Sequence, residues 1–225
     1  MKSAAEIQDA LRALRGELPE GVELVAVSKF HPVEAIEAAY AAGQRRFGES
    51  RVQELLAKEP QLPADISWHF IGHLQTNKVR QIVGHVDMIE SVDTERLLNL
   101  IDEESQRAGV ATRVLMQLHV AREETKFGFS PTELMEYFLD RRFEKLTNTH
   151  ICGVMGMASN TDDTDRVAAD FHLIYDVFDS IRHNESLGLR GFDVCSMGMS
   201  GDWQLAVEEG STLVRVGSAI FGARS

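Results

Sequence analysis

Eight short strand-like runs, seven of them largely apolar, alternate with stretches of helical periodicity along this chain, and that alternation restricts the fold more than any other feature. The runs fall at 23–30, 45–50, 66–74, 88–93, 112–120, 149–157, 192–196 and 212–216. Apart from 45–50, which reads RRFGES, they are rich in Val, Ile, Leu, Phe and Met, and all are too short for long helices, as expected of buried strands. Helical patterns occupy 3–18, 32–43, 51–58, 76–83, 94–108, 130–142, 162–184 and 202–209. In the first, Ala5, Ile7, Leu11, Leu14 and Leu18 lie near one face. Ser130-Pro131-Thr132-Glu133 forms a capping box with proline in the first turn, and Gly43, Gly84 and Gly109 close the helices before them. Strict alternation predicts a parallel sheet with right-handed crossovers. Eight units predict an α/β fold of one closed (β/α)8 TIM barrel rather than an open sheet. The eighth strand leaves no room for a final helix, so the extra N-terminal helix is expected to fill that gap in the outer ring. Short linkers and the lack of repeats predict a single domain over 1–225.

Composition narrows the function. A net charge of −12 and the lack of any Lys/Arg run exclude a nucleic-acid surface. No apolar run reaches the roughly 18 residues of a membrane span, and no secretory signal pattern opens the chain. The expectation is a cytoplasmic protein with no membrane association. Cys152 and Cys195 sit in apolar runs and are expected to be buried free thiols.

Active sites of (β/α)8 barrels gather where the strands end, and the loops after strands seven and eight often hold a phosphate. Here those loops are Met197-Gly198-Met199-Ser200-Gly201 and Gly217-Ser218-Ala219. Bare backbone N–H groups and hydroxyls in two adjacent loops can form an anion cup. Lys29 sits where the first strand ends. It is either a solvated lysine at a loop start or a partly desolvated amine able to attack a carbonyl. Arg215 lies within an apolar strand and shares a face with Leu213 and Gly217. An inward arginine needs an acceptor, which a ligand atom or a carboxylate such as Glu49 can supply. His69 and His73 fall on one face of the expected third strand. Without carboxylate or thiol partners at metal-binding spacings, they read as site-lining histidines, and no metal is expected. Glu123, Glu124, Lys126 and Gly128 make a polar loop after the fifth strand. Gly217 and Gly222 have the outline of a P-loop, but Ala223-Arg224 replaces the required lysine and hydroxyl.

Several motifs together resemble one family. They are AVSKF at 26–30, AIEAAYAAGQRRFGES at 35–50, WHFIGHLQTNK at 68–78, ETKFG at 124–128, GVMGM at 153–157 and SMGMSGDWQLAVEEGSTLVRVGSAIFG at 196–222. In order and in coverage they are similar to the pyridoxal phosphate homeostasis proteins, which share the barrel of bacterial alanine racemase. The resemblance implies that pyridoxal 5′-phosphate (PLP) is held as a Schiff base on Lys29. It implies phosphate contacts at Ser200, Gly217 and Ser218, a pyridine nitrogen facing Arg215, and Met155 against the ring. The family usually has asparagine where this chain has Ser50, which weakens any contact made by that amide.

The implied function is a non-catalytic carrier that buffers vitamin B6 in the cytoplasm. Its implied partners are PLP and apo PLP-dependent enzymes, and its implied state is a monomer. An arginine cannot accept the proton of a pyridinium, so the ring is a weak electron sink. A PLP-dependent amino-acid racemase is the alternative. It requires a second acid/base, for which His69, His73 or a partner subunit is the candidate source. A barrel that binds only a phosphate ester would form no covalent link at Lys29.

Overall fold

The computed structural model describes residues 2–120 and 127–223. Eight parallel strands close into a barrel in chain order. They are β1 (Glu23–Val27), β2 (Arg46–Glu49), β3 (Ser67–Phe70), β4 (Met88–Val92), β5 (Thr112–Gln117), β6 (Thr149–Met155), β7 (Val194–Ser196) and β8 (Leu213–Val216). Closure comes from β1 and β8, with Val25 opposite Arg215 and Leu24 opposite Val214. The (β/α)8 architecture predicted by the alternation is therefore present.

Every strand lies inside its predicted run and is shorter than it. The difference is greatest for β3, which ends at Phe70 rather than Leu74. Past the strand ends the chain leaves the ladder to build the barrel mouth, and apolar content alone does not mark that departure.

The helices among the described residues are α1 (Ala4–Glu17), α2 (Val33–Ala41), α3 (Val52–Lys58), α4 (Val79–Ile82), α5 (Glu95–Ala108), α6 (Pro131–Leu139), α7 (Thr164–Arg182), α8 (Trp203–Glu208) and α9 (Ser218–Phe221). The Ser130 box is formed, with its hydroxyl accepting from Glu133 N–H. Helix α6 stops three residues before the expected Arg142, because Arg141 turns left-handed at φ 54° and a short 3-10 turn follows. The short helix α9 after β8 corrects the expectation of no final helix. Even so, α1 fills the outer ring there. Its Ile7, Leu11 and Leu14 are buried against Leu24 and Ala26 of β1, Val214 and Val216 of β8, and Phe221 of α9. Each such side chain contributes about 1.5–3 kcal/mol, so α1 seals the seam of the barrel.

Val214 and Val216 face the helices, which directs Arg215 into the lumen. Met88, Leu115, Cys152 and Met155 form an apolar cluster of their own. Where β5 and β6 shift register, Gly153 adopts φ 152°, and a Cβ there would stand 1.8 Å from the Val194 carbonyl oxygen. Among the described residues no helix is long and apolar enough to cross a membrane. Cys152 and Cys195 are buried and unpaired with each other, as expected.

Candidate functional site

Lys29 opens a tight turn directly after β1 and is half-buried between buried Ser28 and exposed Phe30. The imidazole of His31 packs 5.0 Å from the Phe221 ring, which joins this turn to the segment after β8. The loops after β7 and β8 meet at the same end of the barrel. Ser200 Oγ accepts the Gly217 N–H at 3.1 Å, and Gly198 C=O accepts the Arg215 N–H at 3.0 Å. A Cβ on Gly217 would stand 3.1 Å from the Val27 carbonyl oxygen, so this loop runs close against the end of β1. Gly217 is half-buried and Ser218 is exposed. The Ser200–Gly217 contact and the Ser218 turn thus lie at the barrel end where the Lys29 turn follows β1.

Arg215 is 4% exposed. Its guanidinium donates to the Ser196 carbonyl at 2.9 Å, to Ser196 Oγ, and to the Gly156 carbonyl at 3.0 Å. Its carboxylate partner is Glu90 of β4, at 3.6 Å. Glu90 is fully buried and also binds His69 Nδ1 at 2.6 Å and the Ser196 hydroxyl at 2.6 Å. Burial alone would raise the Glu90 carboxyl pKa; contacts to His69, Arg215 and Ser196 outweigh it and hold the carboxyl below the usual range. Burial pulls Arg215 downward, and Glu90 opposes that pull. The lumen thus holds a charged arginine whose orientation is fixed by Ser196, Gly156 and Glu90.

These contacts correct two expectations. Glu49 does not pair with Arg215. It shares the helix-facing side of β2 with Phe47 and bonds Lys58 of α3 at 2.8 Å. His69 and His73 do not share a strand face, because β3 ends before His73. His69 is buried on Glu90, whereas His73 bonds Asp93 at 2.8 Å and packs 4.1 Å from the Phe127 ring. No cluster of three metal-ligating side chains occurs among the described residues.

Met155 ends β6 opposite Ser196 and is buried. Ser50 lies against Gly72, where a Cβ would come 2.3 Å from the Ser50 carbonyl oxygen. A cleft of ≈ 840 Å³ opens between the segments after β5, β6 and β7, with Gln117, Met157 and Met199 on its walls. Glu123, Glu124 and Lys126, expected in a polar loop, lie outside the described residues, as does Arg224.

The family profile described as alanine racemase, N-terminal domain, matches residues 3–225. The chain belongs to this family. Within it, the pyridoxal phosphate homeostasis protein of Schizosaccharomyces pombe is 40% identical over 207 residues, 90% of this chain and 84% of that protein. PipY of Synechococcus elongatus, solved without PLP, superposes with a TM-score of 0.90 at 38% identity, covering 96% of this chain and all of that one. The same protein solved with PLP bound gives a TM-score of 0.87 at 37% identity, with the same coverage. Alanine racemase from E. faecalis, at 18% identity and a TM-score of 0.76, shares the fold alone, and this chain covers 58% of its length.

Lys29, Arg215, Ser200, Gly217 and Ser218 all lie at the end of this family barrel where its strands terminate. Glu90 and Lys58 were missed by the sequence reading. Glu90 sits in a strand whose five residues are all buried, so no alternation of polar and apolar residues marks its inward face. Lys58 at the end of α3 has the sequence signature of a solvated helix terminus. A carboxylate inside an apolar run was the available signal for Glu90, since such a group needs a buried partner.

Proposed function

We propose that this chain binds pyridoxal 5′-phosphate through Lys29 and serves as a non-catalytic carrier of it. The observation that carries this reading is the convergence of the Lys29 turn, inward Arg215 and the Ser200–Gly217 pair at one barrel mouth. The relatives' names and the PLP-bound PipY structure support the same ligand. The donor set fits each part of the molecule. Lys29 offers an amine to the aldehyde. The Ser200 and Ser218 hydroxyls suit a phosphate ester beside Gly217, whose N–H is held by Ser200 Oγ, Arg215 suits a ring nitrogen, and Met155 supplies an apolar wall.

When bound, PLP supplies an aldehyde that an amine holds reversibly and a ring that acts as an electron sink once its nitrogen is protonated. Arg215 can donate to that nitrogen but cannot supply it with a proton, because a guanidinium stays charged. Glu90 neutralises Arg215 and keeps it pointed at the mouth through Ser196. His69 and His73, the sequence's candidates for a second acid/base, each engage a carboxylate through Nδ1. The inability of Arg215 to protonate the ring nitrogen, rather than these histidine contacts, favours holding over turnover. In this reading residues 1–225 act as one monomeric cytoplasmic barrel domain that delivers PLP to apo-enzymes.

Titration of purified protein with PLP tests the reading. Wild type should develop a new visible absorbance band that Lys29→Ala lacks. The loaded protein should reactivate an apo PLP-dependent enzyme and make no D-alanine from L-alanine at enzymic rates. Racemisation at rates of about 1 s⁻¹ or more would identify an enzyme instead. No wild-type band would remove the PLP reading.

A further inference from the structure

The turn that carries Lys29 is held on both sides by one buried charged cluster. The Lys58 ammonium donates to the Ser28 carbonyl at 3.0 Å, to Glu49 Oε1 at 2.8 Å and to Glu54 Oε1 at 2.7 Å. The Ser28 hydroxyl donates to Glu49 Oε1 at 2.7 Å. On the far side of Lys29, the Phe30 N–H donates to Glu54 Oε1 at 2.5 Å. The residue before Lys29 bonds Lys58 and Glu49, the residue after it bonds Glu54, and the Lys58–Glu54 contact joins the two sides.

Stability alone is a poor account of this cluster. A buried ion pair is often no more stabilising than apolar residues of the same size. Glu49 is fully buried, and its Oε2 lacks a hydrogen-bond partner. Phe30, moreover, holds a left-handed backbone at φ 68°, costly for a bulky residue. Such strain persists only where the surroundings over-determine it, and it collects at functional sites. Here the Glu54 carboxylate grips its N–H, and the Arg51 guanidinium lies 4.6 Å from its ring centroid.

We propose that Lys58 and Glu54 are positioning residues that aim the Lys29 amine across the barrel mouth at the aldehyde of a ring seated by the β7 and β8 loops. The inference rests on the PLP reading above and adds two residues outside the set proposed there to hold the ligand. The bond at stake forms between Lys29 Nζ and the aldehyde carbon, with release of one water and no change in oxidation state. Fixing the amine favours that bond by lowering the entropy lost when it forms.

A pair of ligands separates aiming from general integrity. Pyridoxine 5′-phosphate has the ring and phosphate but no aldehyde, so it reports the seat alone, whereas PLP reports the seat and Lys29 together. Calorimetry and absorbance give both dissociation constants. For Glu54→Ala the PLP constant should rise about tenfold, the equivalent of one hydrogen bond to a charged acceptor, while the pyridoxine 5′-phosphate constant stays within about twofold. Lys58→Met should shift the same ratio further. If that variant does not fold, the partly exposed Glu54 position still decides. Equal weakening of both ligands, or no change in either, overturns the positioning role while leaving PLP binding intact. A wild type that takes up pyridoxine 5′-phosphate but forms no adduct with PLP would overturn both readings.

Discussion

Replacing Glu90 with glutamine removes one negative charge from the lumen and keeps the side-chain volume. Glu90 is fully buried, accepts from Ser196, binds His69 and lies 3.6 Å from Arg215. Removing one partner of a buried ion pair costs about 3–5 kcal/mol, because the other charge is stranded without compensation. The retained amide oxygen still accepts one hydrogen bond, which places Glu90→Gln at the lower end. At about 2.1 cal/mol/K of unfolding entropy per residue, a 225-residue chain converts 3–5 kcal/mol into a fall in Tm of about 6–11 °C. Calorimetry without added ligand measures it, since binding would mask the loss. Acid adds a second signature. The folded pKa of Glu90 lies below its unfolded one, so its contribution is complete above about pH 4.3 and fades as pH falls through the lower folded value. The variant should lose that acid-side slope. Combining Glu90→Gln with Arg215→Met should cost less than the sum of the single changes by at least about 1 kcal/mol. A Glu90→Gln protein within about 0.5 kcal/mol of wild type, or additive single changes, would refute the charge argument.

Three other substitutions or treatments probe separate parts of the structure. Ser200→Ala removes the acceptor of the Gly217 N–H and should weaken PLP binding by roughly fivefold, with Tm changed by less than about 2 °C; an unchanged affinity in an absorbance titration would sever this loop from the phosphate. Gly153→Ala places a Cβ 1.8 Å from the Val194 carbonyl oxygen at φ 152°, and urea unfolding should show a loss of at least about 3 kcal/mol. Burial pushes the Cys195 thiol up to about 12, so native protein at pH 8 should resist alkylation there until urea unfolds it. Rapid native labelling of Cys195 would contradict its burial.

The barrel was legible because alternation of short apolar runs with capped helices is a one-dimensional record of parallel topology. The Ser130 box and the glycines after α2, α4 and α5 marked helix ends through local backbone chemistry alone. Parity put Arg215 on one face with Leu213 and Gly217, and the fold shows that this face is the lumen. What stayed hidden depends on through-space partners. Glu49 was offered as the arginine's partner because both are charged residues in strands, yet parity with Phe47 turns Glu49 toward α3 and leaves the lumen to Glu90. His73 was placed on β3 because its run remains apolar to Leu74, although the ladder ends at Phe70. Lys58 looked like any helix-terminal lysine until the fold put it against Ser28, Glu49 and Glu54.

The most direct measurement is the site of attachment. Wild type and Lys29→Ala are loaded with PLP, reduced with borohydride, and digested for peptide mass mapping. One pyridoxyl group on the peptide containing Lys29, absent from the variant, is the predicted result. Modification spread over other lysines, or unchanged labelling in Lys29→Ala, would contradict the role given to Lys29 and with it the account of the barrel mouth.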